Sequence, residues 1–343
     1  MISAEADRRE PGVITAIELA EAFGLATADA LLERLRHGDY PTWVLSTADG
    51  RFVAKELAPA TGALRYDYVE RAIGLERAAR AAGIPTAEPV TPVRPVAGGC
   101  AEIPGRSWYR AHRWIDHRPP AERQIDDWLG RMLAELHRLR PAPPDPDQTA
   151  YGVHPAGCWH SWAEAADRAG HSWAEPARTA LPFPVALTDR IRRTHRRAPD
   201  WVITHADLEP HNILLTAAGP VLIDWDTVWP YGAALQAGHV AYRISDGCPD
   251  RAAAFLDRYR AEGGRTDWAG RDPFLGPAAQ KLAALGQLIT GRLGLRAVPR
   301  WAGHTDLDRQ LANRFALLPG LVDELDDLAG RLVARPRRAV GAG

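Results

Sequence analysis

The chain has 343 residues, of which 46% are hydrophobic and 25% are charged. This balance excludes a wholly disordered chain, and the length predicts about two domains or one unit of two lobes. The 42 basic and 43 acidic side chains give a formal charge of −1. That value argues against a nucleic acid as the main partner, because proteins of that class usually carry a basic surplus.

The cysteines and the hydropathy pattern predict the compartment. Cys100, Cys158 and Cys248 are far apart and form no C-x-x-C pair, which favours unpaired thiols in a reducing environment. The charged first residues lack the apolar core of a signal peptide, and no apolar run is long enough to span a membrane. We therefore expect a cytoplasmic protein that has no membrane partner.

The first 115 residues mix helical and strand patterns. Two β-rich runs are joined by Asp49-Gly50, a step that favours a hairpin. The predicted elements are helices at 13–36, with Thr27 as a candidate cap, and at 66–82, and extended or strand segments at 42–47, 51–57, 89–96 and 107–115. Residues 1–115 therefore predict an α+β lobe, a small sheet with one helix packed on it.

The remainder of the chain is mostly helical in pattern. The predicted elements are helices at 125–139, 161–178 and 233–335 and short strands within 201–228. Ser-Trp-Ala-Glu recurs after eleven residues, so Trp162 and Trp173 would share a helix face, and a buried aromatic stripe is favoured over a ligand-stacking pair. We expect 116–335 to form a helical lobe and 336–343 to be a frayed tail.

The stretch from 201 to 228 carries the chemistry. A loop between two apolar strands contains Asp207 and Asn212, and Asp224 follows the next strand. Phosphoryl transfer needs such a set of oxygen-bearing side chains. One carboxylate accepts the proton of the attacking hydroxyl, while a second carboxylate and an amide oxygen hold Mg²⁺ against the phosphates.

A lysine on an upstream strand adds the second half of this machinery. Lys55 follows Val53-Ala54 in a β-rich run, and the next predicted helix contains glutamates. We expect Lys55 to contact the α- and β-phosphates and to pair with a glutamate of that helix.

The motifs resemble those of the aminoglycoside phosphotransferase and choline-kinase-like branch of the protein-kinase fold. Residues 205–212 match H-G-D-x-x-x-x-N with Ala206 in place of glycine, and residues 223–226 match the I-D-[WFL] strand end. Two further motifs are similar, Gly83-Ile84-Pro85 and Leu133-Ala134-Glu135-Leu136-His137. The resemblance covers 20–330 and implies a bilobal α+β fold, with a β-rich N-lobe and a mostly helical C-lobe.

The same resemblance implies roles for individual residues. Asp207 would be the catalytic base, Asn212 and Asp224 the Mg²⁺ ligands, and Lys55 the phosphate-binding lysine. Glu76 is preferred to Glu70 as the partner of the lysine, because it lies nearer the Gly-Ile-Pro motif. The hinge that binds the base of ATP or GTP through backbone groups would be the stretch that contains Arg113, Trp114 and Ile115.

The segment before the first clear strand departs from the family pattern. Only Gly38 stands where a glycine-rich phosphate loop is expected, although a turn with one glycine still presents backbone N–H groups to phosphate. Such a thin loop is compatible with GTP as well as ATP.

The acceptor is expected to be a hydroxyl of a small polar molecule. Few residues separate Asp224 from the helical run at 233, so no activation loop for a protein acceptor fits. The first acceptor class is an antibiotic of aminoglycoside, nucleoside or peptide type, and the second is a metabolite such as a sugar, an amino alcohol or homoserine. The near-neutral charge disfavours a true aminoglycoside.

Two other functions stay open on the sequence alone. His205, Asp207 and His211 have the residue types of a zinc or iron hydrolase, but that function would leave Lys55 and Asp224 unused. A nucleotide-binding protein without catalysis is disfavoured because the base, both metal ligands and the lysine are all present. Asp226 is equally compatible with a metal or substrate contact and with a cap of the following turn.

Overall fold

The computed structural model describes residues 14–36, 41–57, 63–104, 107–118, 125–145, 147–148, 151–265, 272–303 and 306–334. Its strands are β1 (Leu31–Arg36), β2 (Thr42–Thr47), β3 (Gly50–Leu57), β4 (Pro95–Val96), β5 (Cys100–Glu102), β6 (Trp108–Arg113), β7 (Trp201–His205), β8 (Ile213–Thr216), β9 (Gly219–Leu222) and β10 (Val228–Gly232). Its α-helices are α1 (Ala16–Ala22), α2 (Ala63–Ala81), α3 (Asp126–Leu139), α4 (Ala156–Arg168), α5 (Ala174–Ala180), α6 (Pro182–Arg197), α7 (Ala233–Ser245), α8 (Pro249–Ala261), α9 (Gly276–Arg292) and α10 (Leu307–Val333). The tail predicted at 336–343 lies outside the described residues.

A six-stranded antiparallel sheet in the order β1-β2-β3-β6-β5-β4 forms the N-terminal part. The predicted hairpin is confirmed, since β2 and β3 pair along their length and Gly50 has the positive φ of +123° that favours glycine. The predicted helix is α2, whose Val69 and Ile73 pack in an apolar cluster with side chains of the sheet. This part therefore has the α+β composition that the sequence predicts.

The prediction of one helix over 13–36 is wrong. Helix α1 covers only its first part, begins at a capping box between Thr15 and Glu18, and is followed by Gly24 at φ +64°. The second part is the edge strand β1, and Thr27 lies in the loop before it rather than capping a helix. Short apolar runs do not distinguish the two structures, and pairing with β2 decides the outcome.

The helical part has two apolar clusters. One is built mainly from α3, α7 and α8, and the other from α4, α5, α6, α9 and α10. Trp225 is 2% exposed and belongs to the first cluster, so it is a core residue. None of the helices in the described ranges is long and apolar enough to cross a membrane.

The prediction of a continuous helix over 161–178 is also wrong. Helices α4 and α5 are separated by a turn in which Gly170 has φ +69°. Trp162 and Trp173 nevertheless belong to the same apolar cluster, and Trp173 stacks on Phe315 with ring centroids 6.4 Å apart. The tryptophans are therefore packing residues, as predicted, although a chain reversal and not a shared helix face brings them together.

Two small sheets support the loop at 205–212. Strand β7 pairs with β10, and β8 forms a hairpin with β9. Strand β10 was not predicted from the sequence because Pro230 interrupts its pattern. The hairpin is also tied to the N-terminal part, since the amide of Leu222 donates to the carbonyl of Pro85 at 2.9 Å.

Candidate active site

A cleft of about 420 Å³ lies between the six-stranded sheet and the helical part. Val53 and Lys55 line it from β3, and Trp114 lines it from the segment that follows β6. Asn212 and Asp224 line it from the opposite side. The structure thus brings residues from both halves of the predicted machinery to one cavity.

Lys55 reaches across this cleft to two carboxylates. Its Nζ contacts Asp224 Oδ1 and lies 2.8 Å from Asp226 Oδ2. Burial alone would lower the pKa of Lys55, but the charges of Asp226 and Asp224 outweigh it and raise the pKa above its ordinary value. The lysine is therefore a permanent cation facing the cleft.

Asp224 is held by an unusual backbone conformation. It follows β9 and Ile223 with a φ of +64°, in the left-handed region that aspartate tolerates better than most residues. Two residues earlier, Leu222 is fully buried and paired with Ile213 across the hairpin. The turn therefore places the Asp224 carboxylate at a fixed point beside Lys55.

Asp207 and Asn212 form a second pair in the loop before β8. The amide Nδ2 of Asn212 donates to the carbonyl of Asp207 at 2.9 Å and to its Oδ2 at 3.0 Å. Asn212 is 1% exposed as a residue, in a 3₁₀ turn that begins at Pro210. Because the amide nitrogen faces Asp207, the amide oxygen is directed to other partners.

His205 holds this loop from behind. It is fully buried, its Nε2 donates to the carbonyl of Ile223 at 3.0 Å, and its Nδ1 accepts from the amide of Asp207 at 3.3 Å. Burial lowers the pKa of His205, which keeps the ring neutral as this donor–acceptor pattern requires. Both nitrogens are used, so the histidine orients the loop and is unavailable to a metal.

Glu76 has partners different from the one that was predicted. Its carboxylate accepts from Arg110 Nη2 and, at 2.9 Å, from His112 Nε2, whereas Lys55 contacts Asp224 and Asp226. Glu76 lines the cleft at 2% exposure. Burial alone would raise the pKa of Glu76, but the hydrogen bond from His112 and the charge of Arg110 outweigh it and lower the pKa. Arg110 and His112 on strand β6, and not Lys55, are therefore the partners of Glu76.

Glu70, the alternative partner for the lysine, lies elsewhere. It is an exposed residue of α2 next to Tyr66, whose pKa it raises. Of the two glutamates, Glu76 is the one that lines the cleft.

Asp226 links the two ion pairs. It contacts Lys55 through Oδ2 and accepts from Arg110 Nη1 at 3.0 Å through Oδ1. Its carbonyl accepts from the hydroxyl of Tyr68 on α2. Burial alone would raise the pKa of Asp226, but Lys55 and Arg110 outweigh it and lower the pKa to about 2. Of the two roles that the sequence left open, contact with the site agrees with this geometry.

The predicted hinge lines the cleft, but part of its backbone is engaged within the protein. The amide of Arg113 donates to the carbonyl of Glu88 at 2.8 Å, and the amide of Trp114 donates to the carbonyl of Arg51 at 2.9 Å. The carbonyl of Ile115 lies 2.8 Å from His117 Nδ1. These bonds remove two donors that the prediction made available to a base. Gly38 lies outside the described residues.

A second cavity, of about 210 Å³, lies beside the same loop. Ala206 and Thr227 line it, and the amide of Ala206 donates to the carbonyl of Thr227 at 2.8 Å. Asp207 therefore follows a residue of the second cavity and bonds to Asn212, a residue of the first. The loop lies between two spaces of different size.

Sequence reasoning missed Arg110 and His112. Both lie on β6 with alternate spacing, so they share one face of the strand, and Arg110 pairs in register with Lys55 on β3. A signal was present in the W-Y-R-A-H-R run, where two basic residues alternate with small or apolar ones. The alternation alone does not show that Arg110 lies opposite Lys55, because this depends on the pairing register of β3 and β6.

Comparison with known proteins identifies the family. The family model described as the phosphotransferase enzyme family matches residues 32–274, which is more than half of the chain. The chain belongs to this phosphotransferase family. The phosphotransferase acts on hydroxyl groups, and the predicted enzyme class is confirmed. No curated protein matches the chain.

Solved structures similar to the phosphotransferase confirm the bilobal kinase-like fold. An aminoglycoside phosphotransferase from Alicyclobacillus acidocaldarius is 17% identical with a TM-score of 0.52, covering 95% of this chain and 98% of its own. A spectinomycin phosphotransferase bound to ADP and spectinomycin is 12% identical with a TM-score of 0.55, covering 92% and 97%. An ethanolamine kinase from Plasmodium vivax is 11% identical with a TM-score of 0.55, covering 87% and 84%.

Proposed function

We propose that this phosphotransferase moves the γ-phosphoryl group of ATP, or of GTP, to a hydroxyl of a polar small molecule. The N-terminal lobe (1–115) and the C-terminal lobe (116–335) would clamp the nucleotide between them. The observation that carries the proposal is the convergence of Lys55, Asn212 and Asp224 on one cleft, with Asp207 bonded to Asn212 beside it. These are the side chains that phosphoryl transfer requires.

Mg²⁺ is the proposed companion of the nucleotide, and the residues present suit it. Asp224 supplies a carboxylate and Asn212 an amide oxygen, and hard Mg²⁺ prefers such oxygen ligands. When bound, the ion would neutralise charge on the phosphates. The hydrogen bond from Asn212 to Asp207 supports this assignment, because it orients the amide oxygen away from the base.

The other residues have distinct proposed roles. Lys55 would contact the α- and β-phosphates as a permanent cation. Asp207 would accept the proton of the acceptor hydroxyl. At the same time the hydroxyl oxygen would bond to the γ-phosphorus, and the bond between that phosphorus and the β–γ bridging oxygen would break. ADP is the leaving group. The protein then contributes positioning and charge more than covalent chemistry.

An antibiotic is the proposed first acceptor class. Two similar structures support it by name, a spectinomycin phosphotransferase and an amicoumacin kinase with AMP-PNP and Ca²⁺. A metabolite kinase is the second candidate, supported by the similar ethanolamine kinase. A metal hydrolase is disfavoured because both ring nitrogens of His205 hold the loop. Since nucleoside triphosphates are the proposed co-substrates, the cytoplasm stays the proposed compartment.

The test is a screen of hydroxyl-bearing antibiotics and metabolites for ADP release with Mg-ATP, with the product identified by mass. Asp207→Asn should lower kcat by several orders of magnitude while the fold persists. Asp257→Asn is the matched control, because the Asp257 side chain is 53% exposed on α8, where it pairs with Arg260. ATP binding without turnover of any compound would indicate a non-catalytic nucleotide-binding protein, and full activity of Asp207→Asn would remove the residue from its role.

A further inference from the structure

The second cavity is walled by rings and amides. Tyr151, Trp229, Tyr231 and Trp301 line it with His239, and the side chains of Gln280 and Gln287 from α9 complete its polar surface. The part of the lining that α9 supplies below these groups consists of small residues, one glycine and three alanines. Flat aromatic walls over a floor of small residues suit a ring-shaped occupant.

The lining of this cavity carries no charged side chain among the residues that the structure describes. This differs from the neighbouring cleft, where Lys55, Arg110, Asp224 and Asp226 face the cavity. A strongly cationic occupant needs carboxylates to replace its hydration, and the described lining supplies none.

The charges beside His239 and Trp301, on one side of the second cavity, are mainly positive. Arg243, Lys281 and Arg314 stand near one another there together with the carboxylate of Glu209, and Arg314 lies 5.1 Å from the ring centre of Trp301. Burial lowers the pKa of Lys281, and the charges of Arg314 and Arg243 lower it further. On this side of the cavity the charges therefore oppose a cation, even though aromatic rings by themselves attract one.

His239 adds a neutral hydrogen-bonding group to the wall. Burial lowers its pKa to about 3, with a further contribution from Arg243 and Lys281. At neutral pH the ring is uncharged, so it presents one donor and one acceptor nitrogen.

One hydroxyl in the wall lacks a hydrogen-bond partner within the described ranges. Tyr151 is 5% exposed and lines the cavity, and its Oη has no hydrogen-bond partner among the described residues. Its ring is fixed edge to face against Tyr231, with centroids 4.8 Å apart, and against His195 at 5.0 Å. A buried hydroxyl without a partner costs free energy, so a polar group of an occupant would relieve that cost.

We propose that the second cavity is the acceptor site and that it takes an uncharged, ring-bearing compound whose hydroxyl points to Asp207. The proposal rests on the proposed function. It excludes polycationic aminoglycosides and disfavours choline and ethanolamine. The polar groups of the acceptor would form hydrogen bonds with Gln280, Gln287, His239 and Tyr151. Its ring would stack against Trp229, Tyr231 and Trp301.

The first test compares charge classes at fixed Mg-ATP. The full-length protein is offered uncharged nucleosides and aryl glycosides, the cations choline, ethanolamine and kanamycin, and the anion gluconate, and ADP release and product mass are measured. We expect kcat/KM for the best uncharged ring compound to exceed that for every ion by at least about tenfold. Preference for any ion would overturn this inference alone, whereas absence of turnover with every compound would overturn the proposed function.

The second test places a carboxylate in the wall. Gln287→Glu should lower the ratio of kcat/KM for uncharged compounds over choline by about tenfold. Leu317→Glu is the matched control, because Leu317 is 72% exposed on α10 and lies outside the cavity. Equal ratios in the two variants would contradict the assignment of the cavity.

The third test uses the lone hydroxyl. If Tyr151 bonds the acceptor, Tyr151→Phe should raise the KM for the acceptor several-fold without changing the KM for ATP. Unchanged acceptor KM together with a higher unfolding temperature would show a merely structural tyrosine and would overturn this part of the proposal.

Discussion

The two cavities on either side of the 206–207 peptide differ in how they are built. The larger cleft contains ion pairs that join Lys55 and Arg110 to three carboxylates. The described lining of the smaller cavity is uncharged and aromatic. Under the proposed function, the first space would hold the charged phosphates of the nucleotide, while the second would distinguish one acceptor from another.

Among substitutions of residues that line the two cavities, removal of the Lys55 cation should have the largest effect. Lys55→Met removes the charge that is proposed to contact the phosphates, and we expect kcat/KM to fall by about 10²–10³-fold or more. Steady-state kinetics with the best acceptor measure this. Calorimetric titration with the acceptor should show unchanged affinity, and a parallel loss of acceptor binding would contradict the separation of the two cavities.

The buried arginine should come next, through stability. Arg110 is 4% exposed and bridges Glu76 and Asp226, so Arg110→Met would leave the buried Glu76 and the partly buried Asp226 without this partner. We expect a loss of about 3–5 kcal/mol in the free energy of unfolding, measured by urea titration.

Two variants calibrate that measurement. Arg110→Lys keeps the charge and should recover part of the loss. Arg178→Met removes surface pairs of a side chain that is 54% exposed and should cost less than about 1 kcal/mol. Equal losses from Arg110 and Arg178 would mean that the buried network adds nothing to stability.

A methyl group at Gly276 should perturb the smaller cavity alone. A Cβ there would lie 2.7 Å from His239 Cβ and 2.9 Å from Tyr231 Oη, which is closer than van der Waals contact allows. Gly276→Ala should therefore raise the acceptor KM by about tenfold through displaced walls, with an unchanged KM for ATP. A matching rise in both KM values would contradict the prediction.

The smallest effect concerns acid. The folded pKa of His239 is about 3, below the ordinary value, so the unfolded chain binds one proton more than the folded chain between about pH 6.5 and 3. Stability from this group is complete above that window and falls as pH decreases through it. The free energy of unfolding should be measured for wild type and His239→Gln from pH 7.5 to 4.5. The slopes of the two plots against pH should differ by an amount that corresponds to up to one proton. Parallel curves would contradict the shift.

The proximity of the loop residues could be predicted because they are close in sequence. Asp207, Asn212 and Asp224 lie on one β-hairpin and the loop before it, so local spacing carried the information. The partner of Glu76 could not, because it depends on the register that places Arg110 opposite Lys55. Lys55 and Arg110 both contact Asp226, and the two strands that carry them are more than fifty residues apart in the sequence.

The lining of the smaller cavity was beyond sequence reasoning for a related reason. Tyr151, Trp229, Gln280 and Trp301 come from four separate segments that converge only in the folded helical part. Helical periodicity predicts that such residues exist but not which of them meet. The same reasoning failed for 161–178, where a glycine in the turn, and not periodicity, set the path of the chain.

The hydrogen bond between the Leu222 amide and the Pro85 carbonyl has a mechanical consequence. It fastens the segment after α2 to the strand that ends just before Asp224. If the lobes separated as rigid bodies, either this bond would break or Asp224 would move together with the N-terminal lobe. We therefore expect the lobes to rotate about this point when product is released, with the largest displacement at the end of the cleft farthest from the Leu222–Pro85 hydrogen bond.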